Sequence, residues 1–262
     1  MNYLTEKEEI SNKEEISNYK VCINCGKLIK LNSNFCIHCG KNQKIDFQPN
    51  SLTKISLIKL AALFYGLTLI ICLISKLVPQ FDTLPWSITI DFSLAVISII
   101  FFSLNWKENK ELLKWKNFSI IKLFTFVGIA IICSSIVNYT VGWLNIVIYN
   151  KNDEYSELLR SSYFGIFILI FFNAIIPAIF EELGFRGYLL SNLLKITEVD
   201  QAVYVSSFLF AIIHLSFISL FWLIPFALLL GFTRIKEKTI WYGVIFHFTF
   251  NCTSEILSLI KH

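Results

Sequence analysis

Charge is scarce in this chain. Asp, Glu, Lys and Arg make up 16% of the 262 residues, against 55% hydrophobic residues that include 25 Phe, and the mean hydropathy is +0.61. A soluble domain needs polar faces to meet water, and this composition leaves too few of them. Several enzyme signatures are also missing. No Gly-x-Ser-x-Gly turn is present to carry a serine nucleophile, and no His-Glu-x-x-His helix is present to hold a catalytic zinc. The first 50 residues are polar and begin acidic, so nothing there reads as a secretory signal peptide. The net charge of +4 is no argument for nucleic acid, because a membrane protein collects its basic residues in cytoplasmic loops.

What the chain does have is apolar length. Runs near 20 residues, enough to cross a bilayer, recur from residue 55 to the end. Seven spans are expected, at roughly 55–75, 86–106, 118–138, 162–182 (continuing as helix toward 194), 202–219, 221–234 and 240–260. Between 139 and 160, "VGWLNIVIY" is too short to span alone. It lies at the interface or helps to build an eighth span. The fold class expected is therefore an all-α polytopic membrane protein with about seven helices, behind a small N-terminal four-cysteine zinc ribbon. Lys107, Lys110, Lys114 and Lys116, then Arg186 and Lys195, then Arg234, Lys236 and Lys238 fall on one side. The longest loop of the other side carries only Lys151 and Arg160, so the basic side is expected to be cytoplasmic.

Ahead of the spans, residues 1–20 repeat "EEISN" and read as an acidic disordered tail. Residues 21–41 contain "CINCGKLIKLNSNFCIHCG", two Cys-x-x-Cys-Gly knuckles. Two thiolates three positions apart hold one side of a tetrahedral ion, and the glycine lets the chain turn beneath it. Cys22, Cys25, Cys36 and Cys39 together close a structural zinc site. His38 lies inside the second knuckle, but the four cysteines already satisfy the metal. So small a head has too little apolar material for a core of its own, and reduced thiolates place it in the cytoplasm. Residues 42–54 read as a linker to membrane helices at 55–160. Cys72, Cys133 and Cys252 are scattered singly and read as small apolar packers.

Ionisable groups inside a membrane cost several kcal/mol each, so those present ask for a function. The C-terminal half carries Glu181, Glu182, Arg186, His214, His247 and the amide Asn251. Glu182 and Arg186 stand four apart and can pair on one helical face, as can His247 and Asn251. Glu181 is turned about 100° from Glu182 and is free to point elsewhere. A carboxylate and a histidine can orient and deprotonate a water. A second histidine and an amide on a rigid helix can donate to the oxyanion that forms when water attacks a carbonyl. Cys252 is five residues from His247 and off its face, a poor nucleophile for that partner.

"EELGFR" at 181–186 resembles the Glu-Glu-x-x-x-Arg motif of the CPBP family, the CAAX-protease and bacteriocin-processing (Abi) intramembrane endopeptidases. "FAIIH" at 210–214 resembles its Phe-x-x-x-His motif and "HFTFN" at 247–251 its His-x-x-x-Asn motif, in the family's order. The similarity covers residues 161–255. It implies that Glu181 and His214 activate water, that His247 and Asn251 form the oxyanion hole, and that Glu182 and Arg186 organise the site. The implied activity is metal-free peptide hydrolysis on a CAAX-like tail, a peptide precursor or a bacteriocin-related peptide. Access is expected from the cytoplasm or laterally from lipid, with lipid and a peptide or membrane-protein substrate as partners and a protein partner for the ribbon. Other readings stay open: a zinc site of Glu181, His214 and His247, or a non-catalytic immunity or sensor protein of the bacterial membrane that binds a peptide. Glu182 with Arg186 could be a structural pair, and Asn251 helix-to-helix glue.

Overall fold

The computed structural model describes residues 19–22, 24–30, 33, 35–40, 51–81, 83–116, 118–149 and 163–260. The expected acidic tail as far as residue 18, the linker over 42–50, and the loop with Lys151 and Arg160 lie outside them. The chain divides into two compact units, 1–48 and 49–262.

In the first unit, β1 (Tyr19–Val21) pairs antiparallel with β2 (Leu28–Lys30), Tyr19 facing Lys30 and Val21 facing Leu28. Both knuckle glycines take the left-handed backbone that favours glycine, Gly26 at φ 69° and Gly40 at φ 71°. The four sulfurs lie within 4.8 Å of one another, with Cys22 to Cys39 and Cys25 to Cys36 both at 3.7 Å. Tetrahedral Zn–S bonds of ~2.3 Å imply sulfurs ~3.8 Å apart, so this spacing suits such an ion. Backbone N–H groups of Asn24 and Cys25 each donate to Cys22 Sγ at 3.4 Å, and that of His38 donates to Cys36 Sγ at 3.3 Å. The Cys25 N–H and then the Asn24 N–H are the main pulls bringing the Cys22 thiol down to about 6. The Lys27 N–H pulls the Cys25 thiol down, but burial and the neighbouring sulfurs outweigh it and push that thiol up to about 11. One thiolate thus forms readily and resists the next, until a cation offsets the accumulated charge.

The second unit is all helix. Six helices among the described residues are long and apolar enough to cross a membrane. They are α1 (Ser51–Leu77), α2 (Leu84–Leu104), α3 (Ile120–Tyr149), α4 (residues 163–193), α6 (Phe217–Glu237) and α7 (Trp241–Ile260). The expected span over 202–219 has other bounds. Its helix, α5 (Val199–Ile212), has 14 residues, about 21 Å at the α-helical rise and shorter than the ~30 Å hydrocarbon core. The chain breaks at Ile213–Ser216, where Leu215 has φ 50° and the Ser216 side chain caps α6 by accepting from the Ser219 N–H. α6 accordingly begins four residues earlier than expected. "VGWLNIVIY" is not a separate interfacial piece but the end of the 30-residue α3. α1 starts at Ser51, inside the stretch expected as linker.

The three basic loops lie together on one face. Lys195 pairs with Glu108 at 2.6 Å, Lys122 with Glu237 at 2.6 Å, and the Ile240 N–H donates to the Leu112 carbonyl at 3.1 Å. Lys114 and then Lys116 bond Glu111 and hold its carboxyl down at about 2. Above this face Phe64, Phe101, Phe185 and Tyr188 meet edge to face, with centroids 5.2–5.6 Å apart. Gly184 and Gly187 allow α4 to approach this closely. A Cβ on Gly184 would meet the Phe64 ring and Ser98 Oγ at 2.8 Å, and one on Gly187 the Phe102 ring at 2.7 Å.

Candidate active site

α4 is not a plain α-helix. It widens into π turns at Phe171–Ile175 and again at Glu182–Leu189. Pro177 gives a local reason for the first. It has no N–H for the carbonyl of Asn173, four residues back, and its ring crowds that carbonyl. The Asn173 carbonyl accepts instead from Asn251 Nδ2 of α7, at 3.0 Å. One proline thus supplies the anchor for an amide on another helix. Such π bulges are frequent at functional sites.

Glu181 ends the α-helical turn before the second π segment, and Glu182 begins that segment. Glu182 is fully buried. It accepts from Arg186 Nη1 at 2.8 Å and faces His247 Nδ1 at 3.2 Å, through the same oxygen, Oε1. Arg186 is equally enclosed. Its Nη2 donates to the Ala227 carbonyl at 3.2 Å and its guanidinium lies 4.3 Å from the centre of the Phe210 ring. His247 Nε2 points the other way, with Glu181 Oε2 at 3.8 Å. That Glu181 oxygen is buried and has no protein hydrogen-bond partner among the described residues.

Phe210 carries more than packing. Its ring stands 5.0 Å from the His214 ring and 6.1 Å from that of His247, and its carbonyl lies 3.0 Å from His214 Nδ1. A carbonyl only accepts, so Nδ1 bears a proton, and in the neutral ring His214 Nε2 carries the lone pair. The break after α5 sets the depth of this ring. At about 1.5 Å per residue, His214, just past the end of α5, and Glu181 on α4 both lie roughly 18–22 Å from the ends of those helices on the basic face. The short fifth helix therefore brings His214 level with Glu181.

Two cavities meet here. One, of about 310 Å³, is lined by Glu181, His214, His247 and Asn251, with Asn173 and Glu255 at its edge. The other, of about 250 Å³, mixes apolar residues such as Leu94, Ile176 and Ile213 with polar ones, with Thr68, Cys72 and Lys76 on its α1 wall. Asp91, Pro177, Glu181 and His214 border both. The four residues expected to do chemistry thus share one cavity, while Glu182 and Arg186 stand behind it in the packed interior. Four polar residues that line this cavity, Asp91, Asn173, Ser254 and Glu255, lie outside the motifs. Asp91 had a signal, as a lone acid inside the run "WSITIDFSLAV". Asn173 had one too, four residues before a proline. Glu255 receives Asn173 Nδ2 at 3.0 Å, a link no spacing announces.

Gly243, His247 and Asn251 recur every four residues along one face of α7. A Cβ on Gly243 would come within 2.9 Å of Glu182 Oε2, an oxygen of a carboxylate already held by Arg186 and His247. Gly243→Ala should displace that carboxylate, at an overpacking cost of about 1–3 kcal/mol. The expected result is a protein that still accumulates in membranes, melts a few degrees lower and loses roughly tenfold or more in turnover. Unchanged turnover would show that Glu182 does not position His247.

Residues 163–253 match the family model of the Rce1-like type II CAAX prenyl endopeptidases. No curated protein and no solved structure matches the chain. The matched segment contains all three motifs and the buried His–Glu pair, and together these support an intramembrane endopeptidase.

Proposed function

We propose that this membrane protein, of the CAAX-protease superfamily over residues 163–253, hydrolyses peptide bonds with a water activated by Glu181 and His214. The observation that carries the reading is Glu181 Oε2: a buried carboxylate oxygen at the seam of two cavities, without a hydrogen-bond partner among the described residues and 3.8 Å from His247 Nε2. A water held by Glu181 and His214 Nε2 gives its proton to Glu181 as its oxygen attacks the carbonyl carbon. The carbonyl electron pair moves onto oxygen, which receives hydrogen bonds from the remaining Asn251 Nδ2 proton and from His247 Nε2. Collapse of the intermediate breaks the C–N bond, and Glu181 returns the proton to the leaving amine. His247 Nδ1–H faces Glu182, so Nε2 donates only when the ring carries both protons. In that form Glu181, Glu182, Arg186 and His247 sum to zero charge, which suits a buried cluster.

The substrate in this reading is a CAAX-like tail, a peptide precursor or a bacteriocin-related peptide. The chain crosses the bacterial membrane seven times, with α5 as the short fifth pass. The ribbon, holding zinc, lies in the cytoplasm, where it docks a partner or steadies the N-terminus. The site itself works without metal.

The test compares peptides from cells expressing the wild type or His214→Gln at matched membrane levels. Products present only with the wild type are expected; identical peptide pools would favour a protein that binds a peptide without cutting it. Cleavage by residues 49–262, which form a compact unit of their own, should survive chelator. Its loss would instead favour a metalloprotease using Glu181, His214 and His247.

A further inference from the structure

The cysteine head turns more apolar surface outward than inward. Among the described residues its buried core is Cys22, Ile29 and Cys36. Four apolar side chains face outward: Val21 and Leu28, opposite each other across the hairpin, and Phe35 and Ile37, which flank Cys36 and are 60% and 80% exposed. Apolar surface in that proportion marks an interaction site. Charge is arranged as unevenly. Residues 16–45 hold Lys20, Lys27, Lys30, Lys41 and Lys44 and no Asp or Glu, while five Glu all lie between residues 6 and 15. Four thiolates around a zinc ion carry about −2, so the block keeps about +3. Lys27 and Lys30 are exposed, and Lys30 shares with Leu28 the outer face of β2, opposite the buried Ile29.

Resting on the reading that the head holds zinc in the cytoplasm, we infer that it docks on the anionic lipid surface of the membrane. The apolar side chains enter the acyl boundary and the lysines lie among the phosphates. From Gly40 the chain must enter α1 by Ser51, at most about 40 Å of extended chain, so the bilayer surface is within reach. A surface so closely tethered is met at high effective concentration. Lipid is also the occupant that answers both features at once, with negative charge for the lysines and hydrocarbon for Phe35 and Ile37. The acidic arm over residues 1–15 supplies charge but little hydrocarbon, with Met1, Tyr3, Leu4 and Ile10 as its apolar residues.

Hydrogen exchange over residues 21–41 tests this on purified, zinc-loaded full-length protein, in nanodiscs of phosphatidylcholine alone or with about one-third phosphatidylglycerol. Exchange about tenfold slower in the anionic discs is expected, an effect that weakens at about 1 M salt, where the Debye length falls to ~3 Å. Ile37→Asn, and Lys27→Gln combined with Lys30→Gln, should each lose most of that difference. All three residues are exposed, so the four sulfurs keep their place, which zinc content verifies. Equal exchange in the two lipids overturns the inference. So does slow exchange that persists in neutral lipid and disappears when residues 1–15 are deleted, which would give the block to the acidic arm. Both faces of a nanodisc carry the same lipid and nothing has to be cut, so these results stand apart from sidedness and from proteolysis. The cytoplasmic placement fails separately, if protease added to intact cells removes the head.

Discussion

Glu181→Gln is expected to lower kcat by about 10²–10⁴ while KM moves by less than a few-fold. The amide is the same size and keeps an oxygen in the same place, so packing around the cavity changes little. What it loses is the ability to take a proton from water. Glu182 is expected to behave differently, because its carboxylate binds Arg186 and His247 rather than lining the cavity. Taking away one partner of that buried set leaves charge uncompensated, at about 3–5 kcal/mol, so Glu182→Gln should reduce the folded protein as well as its rate. Purified protein, a cleaved peptide and a melting curve separate the two. A Glu181→Gln enzyme within tenfold of wild type would remove Glu181 from water activation.

Stripping metal from the head is the second large effect. The apolar core of that unit consists of Cys22, Ile29 and Cys36 alone among the described residues. A structural zinc in so small a unit contributes about 10–16 kcal/mol, far more than three buried side chains supply. Excess chelator on the full chain should therefore expose all four ribbon thiols to alkylation and open residues 21–41 to proteolysis. The melting of the helical unit should stay where it was. Thiols that remain unreactive in chelator would show that the hairpin holds without an ion.

The motif residues were legible because spacing and chemistry coincide. An acid pair, two histidines and an amide inside apolar runs have few structural excuses, and the four-residue spacings put them on helical faces. The cysteine knuckles were legible for a similar reason, since ligand spacing is local. The fifth helix was not. "FLFAIIHLSFISLF" is apolar throughout, so hydropathy ran past the break at 213–216, which is set by Ser216 capping and by Leu215 in the left-handed region. Hydropathy also could not tell that "VGWLNIVIY" continues α3. Asp91 was not legible because it lies outside the motif half of the chain, and the cavity it borders is closed by helices α1 and α2. The π turns depend on how Pro177 and two close-packed glycines settle against neighbours, and that is a tertiary matter.

The central claim is that Glu181 activates a water for peptide hydrolysis. Its most direct test compares peptides from cells carrying the wild type, a deletion, or Glu181→Gln at matched expression. The account predicts cleavage products that disappear in the deletion and in Glu181→Gln alike, with the variant still present in the membrane. If Glu181→Gln matches the wild type in products and phenotype while the deletion does not, the catalytic account is contradicted, and binding or sensing in the same cavity takes its place.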